Sequence, residues 1–132
     1  MTAAKRPSAT PRVVYLNLLR IRLPLPGIVS ILHRISGAGL FLAGIPLLLA
    51  AAATSFASPE GYARVAHVLA NPLVKLALIG FAWAYLHHFF CGIRFLLLDL
   101  HWGVELKSAR RTSVAVIVLS LALTLLFAVW LW

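Results

Sequence analysis

Acidic side chains are nearly absent from this chain: its 132 residues carry three Asp+Glu against twelve Lys+Arg, a formal net charge of +9. Cysteine is scarcer still. Cys91 stands alone, so there is neither an intrachain disulfide nor a cysteine metal cluster. Charged residues of both signs make up 11% of the chain, where a soluble domain carries about a quarter. No phosphate-binding glycine loop and no nucleophile–base pair is found, which removes the usual machinery of phosphoryl transfer and hydrolysis. The opening MTAAKRPSATPR contains no apolar run, so no cleaved leader is expected there.

What the chain has in quantity is apolar surface, with 62% hydrophobic residues. Residues 35–58, 76–93 and 112–132 contain no charged side chain. Runs of that length cross a bilayer as helices, which takes about 20 predominantly apolar residues. A soluble core helix rarely stays apolar on every face for so long. The expected fold is therefore an all-α membrane protein with three transmembrane helices, spanning about 28–54, 73–98 and 110–131. Residues 1–27 form a cytoplasmic N-terminal segment in this reading and 28–132 the membrane domain. Around Pro24 and Pro26 the chain is expected to be irregular or a short surface helix. Pro46 should kink the first span modestly, and Cys91 reads as a small packing residue.

Between spans one and two, Ser58 suits an N-cap, Pro59 the first helical position and Glu60 the first turn. These residues predict a short interfacial helix over 59–69, closed by Asn71 and Pro72. The basic residues sit in short stretches beside the apolar runs, which is a topology signal rather than the footprint of a nucleic acid. Six of them (Lys5, Arg6, Arg12, Arg20, Arg22, Arg34) precede or open span one, four (Arg94, Lys107, Arg110, Arg111) lie between spans two and three, and only Arg64 and Lys75 lie between spans one and two. The positive-inside rule puts the N-terminus in the cytoplasm and the C-terminus outside. Trp102, Trp130 and Trp132 fit aromatic belts at the two interfaces.

Two places carry candidate chemistry. Residues 30–37 read SILHRISG at the mouth of span one. On a helix Ser30, Arg34, Gly37, Phe41 and Gly44 share a stripe, with His33 one position off it. Arg34 could simply snorkel to lipid headgroups. Ser30 one turn away and His33 beside it favour a polar ligand pocket instead. The glycines would let another helix or a flat cofactor come close. The second place is His87-His88, deep in span two. Adjacent helical residues point about 100° apart, so at most one can face a given partner. His88 has small Ala84 and Gly92 one turn either way, whereas His87 has Trp83 and Cys91. That clearance favours His88 as a haem ligand over a packing histidine, although a neutral histidine can also bond across helices. Arg94 and Asp99 read equally well as a helix-end charge pair facing water or as groups in proton delivery. His67 and His101 are assigned no role. A haem held by two histidines would need a second chain.

SILHRISG at 30–37 resembles the signature of the cytochrome b anchor subunits of succinate dehydrogenase, respiratory complex II. Ser58-Pro-Glu-Gly61, His88 with Gly92-Ile-Arg94, and Asp99 continue that pattern in order, and Leu16-Asn-Leu18 and Ile21-Arg-Leu-Pro24 match upstream. The likeness runs to about Gly103; span three matches in hydropathy alone. Phe95 stands where the family often has a second histidine, and His87 is additional to the pattern. The resemblance implies a three-helix anchor, not an enzyme by itself, paired with a second membrane anchor subunit to hold one haem b. It implies docking to an iron–sulfur subunit and a flavoprotein subunit, with electrons from succinate reducing ubiquinone. Ser30 and Arg34 match the quinone-binding positions, His88 the axial haem ligand, and His33 with Arg34 the vicinity of the haem propionates. Surrounded by membrane lipid, such a chain would sit in a bacterial inner membrane with its C-terminus periplasmic. An anchor of fumarate reductase or of another quinone-linked dehydrogenase is the nearest alternative. A haem-free small transporter is a different class, disfavoured because no Asp or Glu interrupts the three charge-free runs.

Overall fold

The computed structural model describes residues 22–132, and all of its regular structure is helical. The upstream matches at Leu16-Asn-Leu18 and Ile21, and the expected N-terminal segment as far as residue 21, lie outside the described residues. Helix α1 (Leu25–Gly39) runs through a π-helical turn, π1 (Leu40–Gly44), directly into α2 (Ile45–Ala57). Helix α3 (Pro59–Ala70), α4 (Pro72–Asp99) and α5 (Leu106–Leu131) follow. The continuous rod α1–π1–α2, α4 and α5 are each long and apolar enough to cross a membrane. The chain is thus a multi-pass membrane protein, with three spans among the described residues.

Local chemistry sets the helix ends. Pro24 is the N-cap of α1 and Pro26 lies in its first turn, where a missing N–H costs nothing. The region expected to be irregular is therefore the start of the span itself. Ser58 Oγ accepts from the Gly61 N–H at 3.0 Å and opens α3. Asn71 Oδ1 accepts from the Leu73 N–H at 2.9 Å and opens α4. A side chain at position 61 would collide with the Thr54 carbonyl oxygen, so the tight turn between α2 and α3 requires glycine there. Helix α4 ends in a Schellman motif: His101 N–H donates to Leu98 O at 2.9 Å and Trp102 N–H to Leu97 O at 3.0 Å. His101 takes the left-handed conformation (φ 63°) that usually goes to glycine, and Gly103 (φ 79°) follows it.

Pro46 acts differently from a simple kink. Having no N–H, it cannot donate to Leu42, and the coil just ahead of it widens so that Ile45 N–H reaches back to Leu40 O. The extra residue turns the register. Phe41, placed by spacing on the Ser30–Arg34 stripe, is 70% exposed, while Gly44 returns to the bundle against Phe81.

Helix α4 is central and packs on both α1 and α5. Val29 of α1, Cys91 of α4 and Val116 of α5 form the buried apolar core, flanked by Phe90, Phe95 and Ile117. On α5, Ser113, Ser120 and Thr124 are buried with Val116. Their hydroxyls donate back to Ala109 O (2.7 Å), Ile117 O (3.0 Å) and Ser120 O (2.7 Å) of the same helix. Small side chains that satisfy themselves in this way let two membrane helices approach closely. At the far end Lys75 Nζ donates to Leu131 O at 3.0 Å and lies 5.5 Å from the Trp132 ring, fastening the start of α4 to the end of α5.

Candidate haem and quinone site

The SILHRISG turn and His88 meet between α1 and α4. Val29 and Ser36 are the buried positions of α1, and His33 falls between them at helical spacing. His88 Nδ1 hydrogen-bonds the main-chain carbonyl of His33 at 3.1 Å. The two imidazoles stack, with ring centres 4.2 Å apart and planes 7° from parallel. Phe95 closes the other side of His33 at 5.1 Å. Gly37 is the seat of the His88 ring: a Cβ there would stand 2.6 Å from Cε1 and 3.0 Å from Nδ1. The glycine expected to admit a helix or a flat cofactor thus admits an imidazole.

His88 and His87 have opposite surroundings. His88 is half-buried, whereas His87 is 1% exposed and walled in by the core. Trp83 stacks on the His87 ring at 5.3 Å, and neither ring nitrogen has a hydrogen-bond partner among the described residues. No flat macrocycle could reach the His87 nitrogens without opening the bundle. Of the small neighbours of His88, Gly92 faces His33 instead, since a Cβ at 92 would lie 3.9 Å from His33 Nε2. Ala84 lines an open, apolar cleft of about 480 Å³ between α1 and α4, together with Leu32, Ile35, Gly39, Phe81 and Trp83. The clearance expected on both sides of His88 is therefore present on one.

Ser30 is half-buried and Arg34 exposed on α1, two turns and one turn before Gly37 respectively. Ser30, His33 and Arg34 lie within little more than one turn of α1, and His88 meets that stretch at His33. Arg94 and Asp99 do not form a pair facing water. Asp99 is exposed, whereas Arg94 is 6% exposed and its Nε donates to Thr112 Oγ1 of α5 at 3.1 Å. Sequence reasoning missed this burial. Its only available sign was a threonine near the start of span three, whose relation to Arg94 depends on how α4 and α5 pack. Among the described residues no group of three His, Cys, Asp or Glu gathers to hold a metal ion. Ligation by one histidine from each of two chains requires no such group.

Known proteins resemble this chain over most of its length. Residues 7–127 match the family described as succinate dehydrogenase/fumarate reductase transmembrane subunit. The succinate dehydrogenase cytochrome b556 subunit of Coxiella burnetii is 36% identical over 130 residues, covering 98% of each chain. The protein of the same name from Paracoccus denitrificans is 36% identical over 105 residues, 80% of each chain. That from Rickettsia felis is 29% identical over 126 residues, covering 96% of this chain and 98% of its own. The chain belongs to the succinate dehydrogenase/fumarate reductase transmembrane subunit family.

Proposed function

We propose that, as a member of this family, the chain is the haem b anchor of a succinate dehydrogenase and supplies part of its ubiquinone site. The observation that carries the reading is the bond from His88 Nδ1 to the His33 carbonyl. It occupies one ring nitrogen and leaves Nε2 as the ligating atom, the usual arrangement when a backbone carbonyl orients a metal-bound histidine. It also ties that ring to the turn of α1 that bears Ser30 and Arg34. The residues fit the group: an imidazole oriented by its other nitrogen, a glycine seat, and an apolar cleft lined by Ala84, one turn before His88. His33 and Arg34 are the side chains suited to its propionates. Haem b, when bound, supplies a one-electron redox centre.

The chemistry of this chain's own residues concerns the quinone. A quinone carbonyl gains negative charge as it is reduced, and fixed donors stabilise that charge. Ser30 Oγ–H can donate to it. The Arg34 guanidinium supplies a fixed positive charge and a fork of N–H donors. The flavoprotein, the iron–sulfur protein and a second anchor would be its partners, in a bacterial inner membrane with the SILHRISG end on the cytoplasmic side. The name borne by the relatives favours succinate oxidation over the fumarate reductase alternative and gives no support to a haem-free transporter.

The test is to purify the complex through this chain and compare two activities. With a soluble dye as acceptor, succinate oxidation in assembled Ser30→Ala and Arg34→Leu complexes should stay near normal. Ubiquinone reduction should fall about ten- to a hundredfold, the effect of losing a hydrogen bond to a charged group. Normal ubiquinone reduction in assembled variants would remove these residues from the site.

A further inference from the structure

On the opposite side of α4 from His33 and Gly37, at the end where α4 turns into α5, a second cleft of about 370 Å³ opens between the two helices. Leu97, Leu98, Ala115 and Leu119 are among its apolar lining, and Arg94 and Thr112 are among its polar lining. Arg94 is buried, five residues before the last residue of α4, about 7.5 Å along the axis. Its Nε is held by Thr112 Oγ1, and that hydroxyl is itself fixed by donating to Ser108 O (3.1 Å) and Ala109 O (3.2 Å). The guanidinium lies 5.6 Å from the Phe95 ring. Five N–H donors belong to a guanidinium, and one is spent on Thr112. Among the described residues no carboxylate lies within ion-pair distance of it.

A buried cation without a counter-charge is costly, and an anion in the adjoining cleft would offset that cost. The cleft has two unlike parts, a cation and an apolar slot. A free phosphate would use only the first. Trp102, 69% exposed, lies at the rim in the position of an interfacial aromatic, and exposed Lys107, Arg110 and Arg111 open α5 beside it. Basic pockets between membrane helices at the headgroup level attract acidic lipids. We propose that the Arg94 cleft binds one anionic phospholipid, its phosphodiester on the guanidinium and an acyl chain along Leu97 and Leu119. This site is independent of the haem and quinone reading.

The experiment is native mass spectrometry of the detergent-purified complex titrated with dioleoyl phosphatidylglycerol, with dioleoyl phosphatidylcholine, and with inorganic phosphate as competitor. Phosphatidylglycerol should bind more tightly than phosphatidylcholine. Arg94→Gln should weaken it about tenfold or more, and Arg94→Lys should retain part of the affinity. Phosphate at millimolar concentration should not displace it. Equal binding of the two lipids, undiminished binding to Arg94→Gln, or displacement by phosphate would overturn the proposal. So would loss of a partner subunit from Arg94→Gln with lipid binding intact, which would assign the guanidinium to a protein carboxylate. Should Arg94→Gln fail to assemble, Leu119→Trp fills the slot and leaves the cation in place. Phosphatidylglycerol binding should then be lost, and its persistence would contradict the site.

Discussion

At position 37 one hydrogen atom separates α1 from the imidazole of His88. A methyl group there would come within 2.6 Å of a carbon of a ring that is already stacked on His33. Gly37→Ala should therefore push His88 off its bond to the His33 carbonyl, with a packing cost of about 1–3 kcal/mol. The expected outcome is an assembled complex whose haem b absorption is shifted or reduced. An unchanged spectrum would show that the seat tolerates a side chain. The unlike surroundings of His88 and His87 were legible in the sequence, because bulky and small neighbours at one-turn spacing differ for the two. The stacking of His33 on His88 was not, since it depends on the rotation of α1 against α4. Of the two readings open for Arg94, the water-facing pair with Asp99 fails for the same reason: five residues from a helix end it could have been solvated, and only the packing of α5 turns it inward onto Thr112.

Among the elements, those set by capping and proline chemistry were the legible ones. The helix predicted over 59–69 is α3, Pro59–Ala70, with Ser58 as its cap. The first span began earlier than expected because two prolines that signal irregular chain also fit a helix N-terminus. The π turn was invisible in the residue pattern: proline predicts a disturbance, and whether the coil kinks or widens depends on the neighbours that re-satisfy it. The turn between α2 and α3 offers a clean test of an element. Gly61→Ala drives a methyl group into the Thr54 carbonyl, so the two helices must separate or the turn must rebuild. A loss of about 1–3 kcal/mol is expected, read as a lower midpoint of thermal unfolding of the purified complex. Electron transfer at 25 °C should be unaffected, because the turn lies at the other end of span one from Ser30 and Arg34. An unchanged midpoint would mean that the turn relaxes freely.

For the molecule as a whole, the described core is thin: Val29, Cys91 and Val116 are its buried hydrophobic residues, while Phe56, Leu48 and Val129 are 89%, 69% and 81% exposed. Surfaces of that kind belong against lipid or other helices, in keeping with the anchor reading. Three spans and the distribution of basic residues were legible from composition alone, since they follow from the bilayer as solvent. The proposed orientation, N-terminus in the cytoplasm, rests on ten Lys+Arg on one proposed side against two on the other. A reporter active only in the periplasm should give signal when fused at Trp132 and none at Ala109; the reverse pattern would invert the topology. Haem b is proposed to be held by this anchor through His88. The most direct measurement is the reduced-minus-oxidised optical spectrum of the complex purified with His88→Leu, beside the same complex with His87→Leu. The haem b bands should be abolished or displaced in the first and largely preserved in the second. Intact bands in the His88→Leu complex, with loss in His87→Leu, would contradict ligation by His88.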